Sequence, residues 1–238
     1  MVKQQIKVEY IDHMGSDLST VNSARVSFDK ESDFDADAEE YGVLKQSDVK
    51  LIKYLAKHKH MTPFRHNQIQ IRCHAPIFIA RQLGKHQAGL SWNEVSRRYV
   101  DSEPEFYIPD EWRGRPDGSI KQGSGGRGLE YAIEAYAGCC DDGEAKYAEI
   151  DYEDILQICL EWYRCNSHLA PEMTRMVLPQ SMMTSWYWTG NLLSFAHVYK
   201  ERIAEGAQLE ARYFAEELDK IIRELYPIAW SALVDGDK

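Results

Sequence analysis

Apolar positions along the chain change their spacing from two, near the start, to three and four further on, and this change sets out the elements. Val8 to Ile11 reads as a short strand. Ser47 can cap a helix running to about Lys59, with Leu51, Ile52 and Leu55 on its inner face. From Asn67 to Cys73 polar and apolar residues alternate, with Ile69, Ile71 and Cys73 on one side, as in a half-buried strand. Pro76 suits the first turn of a helix through about Gly84. Beyond residue 150, Ile155, Ile158/Cys159, Trp162, Cys165 and Leu169 step by three and four. Ile203, Ala207, Ala211, Phe214, Leu218, Ile221/Ile222 and Leu225 do the same, and both series predict helices with an apolar face on a core. Between these segments, the seven carboxylates from Asp29 to Glu40 predict a solvated loop. Six glycines in 114–128 predict a flexible surface loop or insertion within 110–128. Strands come early, long helices late, and no regular βα alternation or internal repeat is present, so the class is α+β.

Composition narrows the function. A chain of 238 residues makes one large domain or two small ones and can bury roughly 70% of its surface, so its core needs no disulfide or structural metal. The longest apolar run, Ala75 to Ala80, is far short of the ~18 residues of a membrane span. Met1 to Gln5 carries no apolar signal region. Five cysteines (Cys73, Cys139, Cys140, Cys159, Cys165) lack C-x-x-C spacing and read as reduced thiols of a cytoplasmic protein. Lysine and arginine number 28 against 38 acids, a net charge of −10 that argues against a general nucleic-acid binder but not against a nucleotide pocket.

Candidate chemistry sits in four places. Gly123 to Gly128 satisfies G-x-G-x-x-G, but Arg113 to Gln122 before it cannot be the central strand that the dinucleotide fingerprint requires. His58, His60, His66 and His74 cluster, and a metal-dependent hydrolase built on them is an alternative function; equally, histidines near a helix C-terminus are favoured by its dipole. The cysteines lie on apolar stripes, in a strand or beside Asp141 and Asp142, and read as inert rather than nucleophilic. The sharpest signal spans Arg81 to Tyr99. There Arg81, Lys85, Arg97 and Arg98 alternate with Gln82, His86, Gln87, Ser91, Asn93, Glu94 and Ser96, a set suited to a phosphorylated heterocycle.

That segment resembles the signature of the flavin-dependent thymidylate synthases, R-H-R-x-x-S-x-N-E-x-S-x-R-Y. Ser91, Asn93, Glu94, Ser96, Arg98 and Tyr99 match its second half at every fixed position. In the first half Lys85-His86-Gln87 replaces Arg-His-Arg, and one extra residue precedes Ser91. Other blocks follow in the family's order: Asp12 to Ser19 with Ala24 to Phe28, Tyr54 to His66, Ala75 to Gln82, Glu105 to Pro109, Arg175 to Pro179, and Ala207 to Glu210. Residues 29–45 and 110–150 have no clear match.

The resemblance implies a single domain over 1–238 with a mixed or antiparallel sheet packed against long helices. It implies reductive methylation of dUMP to dTMP, with 5,10-methylenetetrahydrofolate as carbon donor, reduced FAD as hydride carrier and NADPH as reductant. A homotetramer with shared active sites, in the cytoplasm of a bacterium or a virus-infected bacterial host, comes with it, with neither a nucleic-acid nor a membrane partner. It makes Arg202 the catalytic group acting on the uracil and assigns dUMP to Gln82, Lys85, Glu94, Ser96, Arg97, Arg98, Arg175 and Arg202. FAD falls to Ser27, His60, Thr62, Lys85, His86, Gln87, Glu94, Asn191 and His197, and no metal is implied. A nucleotide-binding protein of this fold without turnover is a further alternative, raised by the Lys85 and Gln87 changes, because lysine lacks the arginine fork and glutamine the charge.

Overall fold

The computed structural model describes residues 5–40, 42–116, 123–125, 132–139 and 145–236. The strands are β1 (Lys7–Met14), β2 (Gln68–Pro76), β3 (Leu90–Glu94), β4 (Ile133–Cys139), β5 (Ala145–Ile150) and β6 (Met183–Asn191). The helices are α1 (Asp17–Arg25), α2 (Gln46–Lys57), α3 (Ile77–Leu83), α4 (Tyr152–Cys165), α5 (Pro171–Thr174), α6 (Leu192–Ile203), α7 (Leu209–Leu225) and α8 (Pro227–Val234). The class is α+β, as the order of patterns predicts. A four-stranded sheet runs β1-β2-β6-β3, with β1 antiparallel to β2 and β3 antiparallel to β6; β4 and β5 form a separate antiparallel hairpin.

The chain gathers into two compact units. One comprises chiefly Ala75–Ala80 and Val95–Thr184; the other comprises Ile6–His74, Arg81–Glu94 and Ser185 onward. In the second unit the predicted alternation of β2 holds, with Ile69, Ile71 and Cys73 all fully buried. β6 repeats it: Trp186 and Trp188 are buried, the first stacked on Phe214 of α7 and the second tilted against it, while Tyr187 between them is exposed. Asp17 is buried and accepts from the Ile228 and Ala229 N–H groups at 2.9 Å, so a carboxylate satisfies the start of α8. The first unit has its own small core of Phe106, Leu156, Leu160 and Met182.

Several sequence expectations change. Lys45, not Ser47, precedes the first turn of α2, and the helix stops at Lys57. Pro76 closes β2 instead of opening α3, since the Ile77 N–H is already bonded to the Met182 carbonyl. The series from Ile203 to Leu225 is two helices, broken at 204–208, although Ala211, Phe214, Leu218 and Ile222 are buried as expected. α4 presents the opposite result: Ile158 is 57% exposed and Trp162 42%, while Leu156 and Leu160 are buried. The acidic stretch is irregular as predicted, yet it is pinned rather than simply solvated. Asn22 exchanges two hydrogen bonds with the Ser32 backbone, and buried Asp48 takes both Ser32 Oγ and the Arg25 guanidinium. Much of the glycine-rich segment lies outside the described residues.

Candidate active site

Gln82 stands in the last turn of α3, and the chain then folds back so that the His86 N–H reaches the Leu83 carbonyl at 2.9 Å. This turn presents the His86 ring to Arg202, in the last turn of α6. Arg202 donates Nε and Nη2 to His86 Nε2 at 3.1 and 2.8 Å, and Nη2 also approaches the Gln82 carbonyl at 3.4 Å. A guanidinium can only donate, so the imidazole accepts through Nε2 and carries its proton on Nδ1. Desolvation, then the charges of Arg202 and His197, push the His86 pKa down to about 4. The ring is therefore neutral at physiological pH. His197, one and a half turns into α6, meets it edge-on at 5.5 Å.

A second line of bonds fixes Gln82. Its Nε2 donates to Gln208 Oε1 at 2.6 Å, and Gln208 Nε2 donates to Glu210 Oε2 at 2.9 Å. Glu210 is buried in the first turn of α7, where the helix dipole favours an anion. A carboxylate can only accept, so the relay runs one way: it uses one N–H of the Gln82 side chain and leaves its Oε1 and second N–H available.

The motif continues through Gly89 into β3. Gly89 has φ +71°, and a Cβ there would lie 2.5 Å from both Asn191 Nδ2 and Ser194 Oγ, so only glycine fits. Asn191 caps α6 by accepting from Ser194 N and Oγ at 2.9 Å, which leaves its amide N–H groups for a ligand. Lys85 and Gln87 flank His86, are exposed, and have no side-chain partner among the described residues. With Asn191 and exposed Thr62 they supply a cation and neutral donors, while the Glu201 carboxylate lies close enough to act on His86. This set fits the phosphates of a flavin dinucleotide, with one cation fewer than the family signature carries.

In the first unit, Ser96 Oγ accepts from Arg98 N and Nε at 3.4 Å, and the Arg98 guanidinium lies 5.1 Å from the Tyr99 ring centre. Arg97 binds the carbonyls of Ser102 and Glu103. Arg175 follows α5, is exposed, and has no side-chain partner among the described residues. In the second unit Glu94 accepts from Trp92 Nε1 at 3.2 Å.

The remaining candidates are peripheral to these bonds. Ser27, His60 and His197 are exposed. The His60 ring packs with Tyr54 and His58 at 6.2 and 6.5 Å, while His74 Nδ1 pairs with Ser185 Oγ at 2.9 Å. Among the described residues no group of three or more His, Cys, Asp or Glu is placed to hold a metal. Cys73 is fully buried, and burial pushes its thiol well above the ordinary range, whereas Cys165 is exposed rather than on the inner stripe. The His86–Arg202 bond has no signal in the sequence, where Gln208 and Glu210 stand only within the block Ala207 to Glu210.

Residues 9–228 match the family model for thymidylate synthase complementing protein. The chain is 34% identical to a flavin-dependent thymidylate synthase of Thermus thermophilus over 225 residues, covering 94% of this chain and 74% of the relative. A Thermosipho africanus enzyme of the same description is 33% identical, covering 94% and 89%. A crystal structure of a UMP/dUMP methylase from Streptomyces cacaoi bound with 5-Br dUMP is similar at 28% identity and a TM-score of 0.72, covering 98% of this chain and 96% of that one. No helix among the described residues is long and apolar enough to cross a membrane. The chain belongs to the flavin-dependent thymidylate synthases, the family of the thymidylate synthase complementing proteins.

Proposed function

We propose that the chain methylates dUMP reductively to dTMP, taking the one-carbon unit from 5,10-methylenetetrahydrofolate, with reduced FAD as hydride carrier, NADPH as reductant and a homotetramer with shared sites as the working form. The observation that carries the reading is the Arg202 guanidinium, half-buried and held by a neutral His86 beside the Gln82 relay.

For C5 of uracil to attack a one-carbon unit, negative charge must be stabilised on the ring. A guanidinium fixed before the substrate arrives does this without reorganising during the reaction. His86 contributes by accepting without adding positive charge, so Arg202 keeps its full charge for the pyrimidine. Gln82 orients the base through its available oxygen. Arg175, Ser96 and Arg98 bind the nucleotide, with Arg175 free to pair with the phosphate. Lys85, Gln87, Thr62 and Asn191 hold the flavin, which supplies the hydride when bound. No protein thiol is required, in keeping with the raised pKa of buried Cys73. The test is the purified protein itself: a yellow flavin spectrum and folate-dependent tritium release from 5-labelled dUMP support the proposal. Colourless protein that takes up no FAD and releases no tritium overturns it.

A further inference from the structure

The two-residue repeat of β3 puts Trp92 and Glu94 on the same face of the sheet as Trp186 and Trp188 of β6, with Trp92 opposite Trp188 and Glu94 opposite Trp186. The Trp92 indole reaches diagonally across the strands to stack on Trp186, ring centres 4.3 Å apart and planes at 16°. It meets Trp188 nearly edge-on at 5.4 Å and 74°. Trp186 and Trp188 are buried, so Trp92, itself half-buried, rests on a fixed aromatic base. Glu94 is exposed at the end of β3, where a glutamate ordinarily moves among many rotamers. Here Trp92 Nε1 donates to its Oε2 at 3.2 Å.

The aromatic stack does not need that N–H. Trp186 Nε1 and Trp188 Nε1 are buried with no hydrogen-bond partner among the described residues, and half-buried Trp92 could leave its own N–H to water. For packing alone, a phenylalanine at position 92 would cover Trp186 as well. What the indole adds over a plain ring is a donor whose direction is set by the plane of the stacked ring. That donor points at Glu94, the single carboxylate between Arg81 and Tyr99.

The resemblance to the family assigns Glu94 to dUMP, whose uracil N–H and ribose O–H are donors that a carboxylate accepts from. Trp92 stands at a variable position of the signature, between Ser91 and Asn93, and no ligand is assigned to it. We propose that Trp92 is the positioning residue for Glu94. The locked indole holds the carboxylate in one orientation before dUMP arrives, so that binding no longer includes the loss of that rotamer freedom. This inference rests on the dUMP reaction proposed above.

The test is a double-mutant cycle on the full chain loaded with FAD, read as calorimetric binding of dUMP to the unaltered protein, Trp92→Phe, Glu94→Ala and the double variant. Phenylalanine keeps a ring on Trp186 and removes only the donor. Trp92→Phe is expected to raise the Kd for dUMP about three- to tenfold, the cost of ordering one free side chain. Its kcat should stay within about twofold of the unaltered value, a split between affinity and rate that a general loss of packing would not give. In the Glu94→Ala background the same substitution should change the Kd no further. An unchanged Kd in Trp92→Phe overturns the inference. So does an equal weakening with and without Glu94, because the ring would then act through the stack alone. Should Glu94→Ala bind too little dUMP for the cycle, a crystal structure of Trp92→Phe with FAD decides: a displaced Glu94 carboxylate is expected, and one that keeps its place overturns the inference. If the unaltered protein binds no dUMP, the proposed reaction itself fails and the inference falls with it. If it binds and methylates dUMP while Trp92→Phe matches it in affinity, the inference alone falls.

Discussion

Arg202 and Arg175 carry the same side chain and are prepared in opposite ways. Arg202 is half-buried, with its Nε and Nη2 bonded to a neutral histidine. Arg175 is exposed and makes no side-chain bond among the described residues. The first has already lost its rotamer freedom, so its charge is available to a developing anion at little further cost. The second keeps its freedom and its hydration, which suits capture of a phosphate. The contrast separates a group that should govern rate from one that should govern affinity.

Removing Arg202 tests that division most severely. Arg202→Ala should lower kcat by about 10²–10³-fold, the usual loss for one preorganised donor, with a far smaller change in dUMP affinity. Arg202→Lys should recover little, because one ammonium cannot reproduce the two-point contact with His86. Arg175→Ala should do the reverse, raising the KM for dUMP about 10- to 100-fold through loss of a charge-assisted bond and leaving kcat nearly intact. Equal effects of the two substitutions on kcat would break the comparison.

The pH profile sharpens it. His86 has a pKa of about 4 in the fold against 6.5 ordinarily, so the unfolded chain binds the proton more readily. Its contribution to stability is complete above about 6.5 and is lost as pH falls through about 4. Once protonated, Nε2 becomes a donor and cannot hold Arg202. Activity should therefore show an acidic limb near that value, measured as kcat/KM between pH 4 and 8. His86→Gln keeps an acceptor and should abolish the limb. The smallest effect is expected at Gln87. If Arg81, exposed and without a side-chain partner among the described residues, compensates for the missing arginine, Gln87→Arg should change FAD affinity by less than about threefold. Arg97 is less available for this, since its guanidinium binds the carbonyls of Ser102 and Glu103.

Much of this was legible in the sequence, and α7 and α4 show where legibility ends. In α7 the apolar residues occupy one face against charged neighbours, so spacing alone identifies Ala211, Phe214, Leu218 and Ile222 as core. In α4 apolar residues occupy two faces. Periodicity favours Ile155, Ile158 and Trp162, yet Leu156 and Leu160 pack on Phe106 and Met182. Choosing between two such stripes needs the tertiary partner, which no local pattern contains. The strand Met183–Asn191 is absent from the sequence expectations, although Trp186 and Trp188 alternate with Tyr187. The site divides likewise. The motif from Lys85 to Tyr99 announces anion and base recognition, but the Arg202–His86 bond joins residues 116 apart. The buried side chain of Glu210 reaches Gln82 through Gln208 across a similar gap, which only the fold reveals.

The most direct test of the account is tritium release from 5-labelled dUMP by purified protein supplied with FAD, NADPH and methylenetetrahydrofolate, run beside Arg202→Ala. Release that requires the folate and falls at least about a hundredfold in the variant is the expected result. Release that persists in the variant, or a protein that binds dUMP and flavin but releases no tritium, would contradict it.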